Sequence, residues 1–141
     1  MSYASIGSDG RPLGVPTLAA YHDEKTGLMW AAKDVSDNGM NWNDAKKACA
    51  DLRIAGFSDW RLPTIDELET LRDRSRCDPA ADPLLGLKSG YYWSSTPVAS
   101  SPGGVWGVGF GGGGSYWGYQ ASEFFVRAVR SAGQQLALGA L

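Results

Sequence analysis

SGYYWSSTPVASSPGGVWGVGFGGGGSYWGYQAS, residues 89–122, runs for 34 positions without a charge. It holds ten glycines and eight aromatics. Three strand-like pieces emerge between the glycines. Tyr91–Ser95 is the first. Val105–Phe110 is the second, with Val105, Gly107 and Gly109 on one face and Trp106, Val108 and Phe110 on the other. Ser115–Tyr119 is the third. A fourth piece, Phe124–Arg130, alternates Phe124, Val126 and Ala128 against Phe125, Arg127 and Val129. Short strands at this spacing predict a meandering, glycine-rich antiparallel sheet of four strands.

Upstream the character changes. Residues 1–16 carry Gly7, Gly10, Pro12, Gly14 and Pro16 and read as an extended N-terminal arm. Thr17–Tyr21 and Leu28–Ala32 flank the turn signal Asp23-Glu24-Lys25-Thr26-Gly27, an early hairpin. His22, beside Asp23 and Glu24, is expected to be solvated. Ala45, Ala48, Cys49 and Leu52 then form one apolar stripe at helical spacing, with Asn41 as N-cap and Gly56 as the stop. Thr64-Ile65-Asp66-Glu67 is a capping box that opens a second helix with Ile65, Leu68 and Leu71 on its apolar face. The fold class is α+β: early hairpin, two helices, glycine-rich antiparallel sheet. The domain spans 17–131, and 132–141 is a C-terminal tail.

Composition narrows the function. The 141 residues suit one domain. A net charge of -2 argues against a basic nucleic-acid-binding face. No apolar run approaches the ~20 residues of a membrane span, and no secretory signal is visible at the start. Cys49 and Cys77 make no CxxC pair, and one histidine leaves little for a zinc site or a catalytic triad. Asp34-x-Ser36-x-Asn38-Gly39 mimics a calcium loop, but its twelfth position is Ala45 rather than glutamate. No cofactor or metal is expected. Cys49 reads as a small buried hydrophobe. Trp60 is expected to pack between helix and sheet. Arg61, Arg127 and Arg130 are expected to bond backbone or carboxylates.

Five strings are specific in order and spacing. They are Thr26-Gly27-Leu28-Met29-Trp30; Trp42-Asn43-Asp44-Ala45 with Cys49 and Leu52; Asp59-Trp60-Arg61-Leu62-Pro63-Thr64 with Glu67-Leu68; Tyr92-Trp93-Ser94-Ser95-Thr96; and Val126-Arg127-Ala128-Val129-Arg130. The chain resembles, over about residues 23–131, a family of bacterial and phage domains typified by the C-terminal domain of the Legionella collagen-like adhesin. The resemblance implies a C-type-lectin-like fold, related to formylglycine-generating enzymes and to the variable proteins of diversity-generating retroelements. It implies ligand binding at surfaces and, for several members, a trimer. Many members carry a cysteine where Ala128 stands, able to pair with the one matching Cys49. Here Cys49 is free unless Cys77 has taken over. The copper-holding cysteine pair of the formylglycine-generating relatives is missing after Cys77, so no enzyme is expected. Trp42-Asn43-Asp44 spells the calcium-associated tripeptide of sugar-binding C-type lectins, but it opens a helix rather than a late strand.

The candidate ligand-binding residues are Trp106, Ser115, Tyr116, Trp117, Tyr119 and Gln120. Tyr and Trp offer large rigid faces at low entropic cost, Ser and Gln supply hydrogen bonds, and glycine frees the backbone. The alternative is a sheet whose aromatics fill the core. Trp93 and Phe110 read as core, Tyr116, Trp117 and Tyr119 as available, Trp106 as either. Three settings follow. One is a phage or prophage tail-tip or fibre protein contacting a host-surface glycan or protein, alongside other virion subunits and as a homotrimer. Another is a structural virion or cytoplasmic assembly subunit. The third is a bacterial adhesin that binds glycans. Membrane insertion is not expected.

Overall fold

The computed structural model describes residues 3–7, 18–112 and 114–131. The early hairpin forms as its turn residues dictate. β2 (Leu18–Asp23) and β3 (Leu28–Ala31) pair antiparallel, with Asp23 opposite Leu28. Asp23 Oδ1 accepts the Lys25 N–H at 3.0 Å, and Gly27 takes φ +74° so that its N–H reaches the Asp23 carbonyl at 2.9 Å. β1 (Tyr3–Gly7), inside the segment read as an arm, pairs with the other side of β2. The rest of that segment and the tail lie outside the described residues. His22 corrects the sequence reading. It is 2% exposed, because β2 continues through Asp23 and places His22 on the same face as Ala20 and opposite Met29, both in the first core.

Helix α1 (Trp42–Asp51) starts where Asn41 accepts the Asp44 N–H at 2.9 Å. It ends earlier than Gly56. Leu52 turns extended, and Arg53 donates to the carbonyls of Ala50 and Leu52. Gly56, at φ +78°, serves instead the tight turn that brings Ile54 opposite Phe57. Helix α2 (Ile65–Glu69) carries the full capping box. A 3-10 turn (Pro83–Leu85) follows, capped by Asp82.

β4 (Tyr91–Pro97), β5 (Gly104–Gly109) and β6 (Gly114–Tyr119) form a three-stranded antiparallel meander. The predicted fourth strand does not join it. Only β7 (Val129–Ser131) has ladder pairing, and it pairs with β3 in the other sheet, ordered β1-β2-β3-β7. The segment before β7 is extended, but three neighbours share its backbone groups. Phe124 exchanges hydrogen bonds with Met40, Phe125 bonds Tyr91 and Trp93, and the Val126 and Ala128 carbonyls accept from Val35 and Ala31. Its alternation survives without a ladder. Phe124, Val126 and Ala128 face a core with Trp93, Cys49 and Trp60, whereas Phe125 and Val129 face one with Trp30, Leu68 and Tyr92. β3 is buried along its whole length for the same reason: Met29 and Ala31 enter the first core, Leu28 and Trp30 the second. The molecule is α+β, with two small helices and two antiparallel sheets. No helix among the described residues is long and apolar enough to cross a membrane.

Between the cores sits a buried polar hub. Arg127, 2% exposed, donates from Nε to Asp34 Oδ1 at 2.9 Å and from Nη1 to the carbonyls of Ala31 at 3.1 Å and Leu85 at 2.7 Å. Asp34 Oδ2 accepts from Lys88 Nζ and from the Tyr92 hydroxyl, each at 2.8 Å. Burial, with Asp34 beside it, pushes the Tyr92 hydroxyl well above its ordinary 10, so it stays a proton donor. Arg130 and Arg61 hold carboxylates bidentately nearer the surface, Asp59 and Glu67 respectively. Trp60 is buried and donates to the Ile54 carbonyl.

Removing Asp34 leaves a guanidinium buried without its counter-charge. Asp34→Ala is expected to cost about 3–5 kcal/mol in urea unfolding; a loss under about 1 kcal/mol would refute the hub. The Arg61 hydrogen bond holds the Glu67 carboxyl below its ordinary 4.5. A depressed carboxylate stabilises the fold above that value, and the contribution disappears as pH falls through the folded pKa. Glu67→Gln should therefore be less stable than wild type at pH 7 by roughly 0.5–1 kcal/mol, because the pair is partly solvated. The gap should close as pH is lowered below 4.5.

Candidate ligand-binding face

Register decides which side chains of the meander share a face. Opposite residues in an antiparallel pair point the same way. Gly104 lies opposite Tyr119, Trp106 opposite Trp117 and Val108 opposite Ser115, with Tyr92 opposite Val108. These make one face. Val105 lies opposite Gly118, Gly107 opposite Tyr116 and Gly109 opposite Gly114, with Trp93 opposite Gly107 and Tyr91 opposite Gly109. These make the other.

The six sequence-predicted residues are therefore divided. Trp106, Ser115, Trp117 and Tyr119 share the first face. Tyr92 and Val108 bury its inner part in the second core, while the outer part is open. Trp117 and Tyr119 are 43% and 59% exposed, with rings edge-to-face at 5.4 Å, and Trp106 is half-buried. Tyr116, 49% exposed, projects from the opposite face, where its ring meets Tyr91 edge-to-face at 5.2 Å. Gln120 lies just past β6. Its N–H donates to the Gly103 carbonyl and its carbonyl accepts the Trp42 N–H, so its backbone ties the strand end to the start of α1. Tyr91, 46% exposed, was not among the predicted residues. Alternation with buried Tyr92 and its place at the strand start carried that signal.

The glycines explain how so many rings fit. A Cβ on Gly118 would lie 2.7 Å from the Phe124 ring, and one on Gly109 would lie 2.8 Å from Tyr91. A Cβ on Gly104 would lie 3.0 Å from the Trp117 ring. Bare backbone thus forms the seats on which aromatic rings lie. Phe124, stacked on Trp93 at 4.1 Å, closes the inner side of the sheet. A slot of about 140 Å³ remains between Tyr91 and Tyr116, floored by Gly109, Gly111 and Gly112.

The chemistry of this face is neutral. Its resources are ring faces, phenol hydroxyls and the Ser115 hydroxyl, suited to stacking and hydrogen bonding rather than proton transfer. The perturbed titratable groups sit elsewhere and serve packing. Burial pushes the Cys49 thiol up to about 12, far from a reactive thiolate. Cys49 and Cys77 are both free, one buried and one exposed. Ala128 occupies the same core as Cys49. Among the described residues no group of three or more His, Cys, Asp or Glu is placed to hold a metal ion.

Residues 19–130 match the family described as the Lcl C-terminal domain. The chain belongs to that family. A search of curated proteins returned no match. The Lcl C-terminal domain match runs from β2 to the middle of β7 and takes in both sheets' shared frame. Within it, the five strings supply Trp30, Trp60, Trp93 and Arg127 to the cores and hub. None of those strings contains the exposed residues of β6.

Glycine seats can be separated from glycine turns by substitution. Gly118→Ala should destabilise the domain by about 1–3 kcal/mol by lifting Phe124. Gly112→Ala, with nothing within 4 Å of the new Cβ, should leave the melting temperature almost unchanged. Equal effects in thermal unfolding would contradict the ring-on-glycine account.

Proposed function

We propose that the chain is a non-catalytic ligand-binding module of C-type-lectin-like fold, an adhesin-like surface domain whose ligand meets Trp106, Trp117 and Tyr119. The observation that carries this reading is the outer end of the first face. Trp117, lying over Gly104, and Tyr119 stand side by side about half in solvent, while Tyr92 on the inner part of the same face is in the second core. A neutral aromatic ledge of this kind stacks on the apolar face of a sugar or on a protein loop, and Ser115 adds a hydroxyl. Membership of the Lcl C-terminal domain family is consistent with an adhesin or ligand-binding role. The non-catalytic reading is supported by the titratable groups, whose shifts arise from burial or from ion pairs that brace the frame.

The setting we favour is a phage or prophage tail tip or fibre, in a homotrimer that contacts a host-surface glycan or protein. The resemblance to bacterial and phage domains supports it. A bacterial surface adhesin would use the same ledge in another setting.

Trp117→Ala should weaken binding to a glycan panel or outer-membrane extract by about tenfold or more, a loss of about 1.4 kcal/mol. Its melting temperature should match wild type. Unchanged binding would rule out the ledge as the site. Loss of incorporation into a larger assembly, with ligand binding intact, would identify the face as a subunit interface.

A further inference from the structure

The slot between Tyr91 and Tyr116 lies on the face of the meander away from the Trp117 and Tyr119 ledge, and the ledge makes no use of it. Its walls are two exposed tyrosine rings set at 79° to one another, with centroids 5.2 Å apart. A group held in the angle of such a pair meets the face of each ring, the negative part of its quadrupole. Both rings are seated before any ligand arrives. Tyr91 lies over Gly109, 2.8 Å from where a Cβ would stand, and leans on the Phe124 ring at 5.4 Å. Tyr116 lies over Gly114, 3.2 Å from the corresponding point.

A charge from outside the glycine-rich stretch completes the slot. The Asp78 N–H donates to the Gly111 carbonyl at 2.8 Å, which holds this residue beside the floor. Asp78 Oδ1 lies 3.6 Å from where a Gly111 Cβ would stand, and the Ser89 carbonyl oxygen lies 3.8 Å from the same point. Among the described residues no hydrogen bond or ion pair occupies the Asp78 carboxylate. Two ring faces, a carbonyl and a free carboxylate all attract positive charge. The slot's 140 Å³ or so is close to the roughly 150 Å³ of an apolar cavity that takes a benzene. That is room for one compact head group. A bare ammonium keeps its tight hydration shell, whereas a methylated one sheds water easily and lays its methyl groups on ring faces. We propose that this slot binds the trimethylammonium head of choline, free or as the head group of a lipid. Choline carries that head with few additional atoms, in keeping with the size of the slot. The site stands without the reading of the ledge, from which it is separated by the thickness of the sheet.

The test titrates the full chain with choline chloride and follows amide shifts by NMR. The lining of the slot, Tyr91 and Gly111 included, should shift and saturate. Dimethylbutanol, which has the shape of choline with carbon in place of the charged nitrogen, should bind at least about tenfold more weakly, because the attraction is to charge. Asp78→Asn should weaken choline binding by about threefold or more. Asparagine tolerates the φ of +49° that Asp78 adopts, so the turn is kept. Tyr116→Leu should weaken binding by about fivefold or more, and Tyr116→Phe should stay within about twofold of wild type. Trp117→Ala should leave choline binding unchanged, which separates this site from the ledge. Vesicles identify the source. Sedimentation with phosphatidylcholine but not phosphatidylglycerol vesicles, reversed by free choline, supports the lipid head group; binding of free choline without sedimentation supports the small molecule. Equal binding of dimethylbutanol would reduce the slot to an apolar gap and overturn the proposal, and the wild-type comparison needs no variant to fold. No saturable shift up to about 10 mM choline, or binding unmoved by both Asp78→Asn and Tyr116→Leu, would overturn it as well. So would a trimethyl-lysine peptide binding more tightly than choline.

Discussion

The Asp34–Arg127 pair is the constraint to which the rest of the fold conforms. A guanidinium buried to 2% must find acceptors for its donors, and this one draws them from three separate stretches: the loop after β3, the end of β3 itself and the 3-10 turn at Leu85 and Gly86. Asp34, in turn, collects Lys88 and Tyr92. The hub thereby links the hairpin sheet to β4 of the meander. An isolated buried ion pair adds little net stability because desolvation offsets the attraction. Its effect here is specificity: a shifted register of the closing segment would leave Arg127 buried without partners.

That closing segment shows how one extended stretch can serve two cores. Residues 124–129 have strand periodicity but no single strand neighbour, so side chains alternate between cores while backbone bonds go to whichever element lies alongside. Phe124, Phe125 and Val129 have both backbone groups bonded, and the Val126 and Ala128 carbonyls accept. Only the ladder is missing, and that is why the meander stops at three strands.

The glycine-rich stretch serves two purposes that composition alone merges. Gly107, Gly109 and Gly118 are close-approach positions, where a methyl group would meet a carbonyl or an aromatic ring. They are part of the packing. Trp117 and Tyr119 have exposure left over after that packing is complete. The five strings lie in the frame and the ledge lies outside them, while the family match over residues 19–130 spans both.

The sequence by itself determined the local elements. Asn41 and Thr64 fixed the helix starts, Gly27 the hairpin turn, and alternation the faces of β5, because each depends on residues within a few positions of one another. It also showed that Trp93 and Phe110 are core and that Tyr116, Trp117 and Tyr119 are available. Tertiary structure alone decided the rest. His22 is buried because its face of β2, shared with Ala20 and lying opposite Met29, packs into the first core. Tyr116 and Trp117, adjacent in sequence, face opposite ways on a strand, and only the covering of each face shows which ring joins which neighbours. The hub joins positions 34, 88, 92 and 127. No periodicity encodes that meeting, because it comes from the crossing of the chain between two sheets.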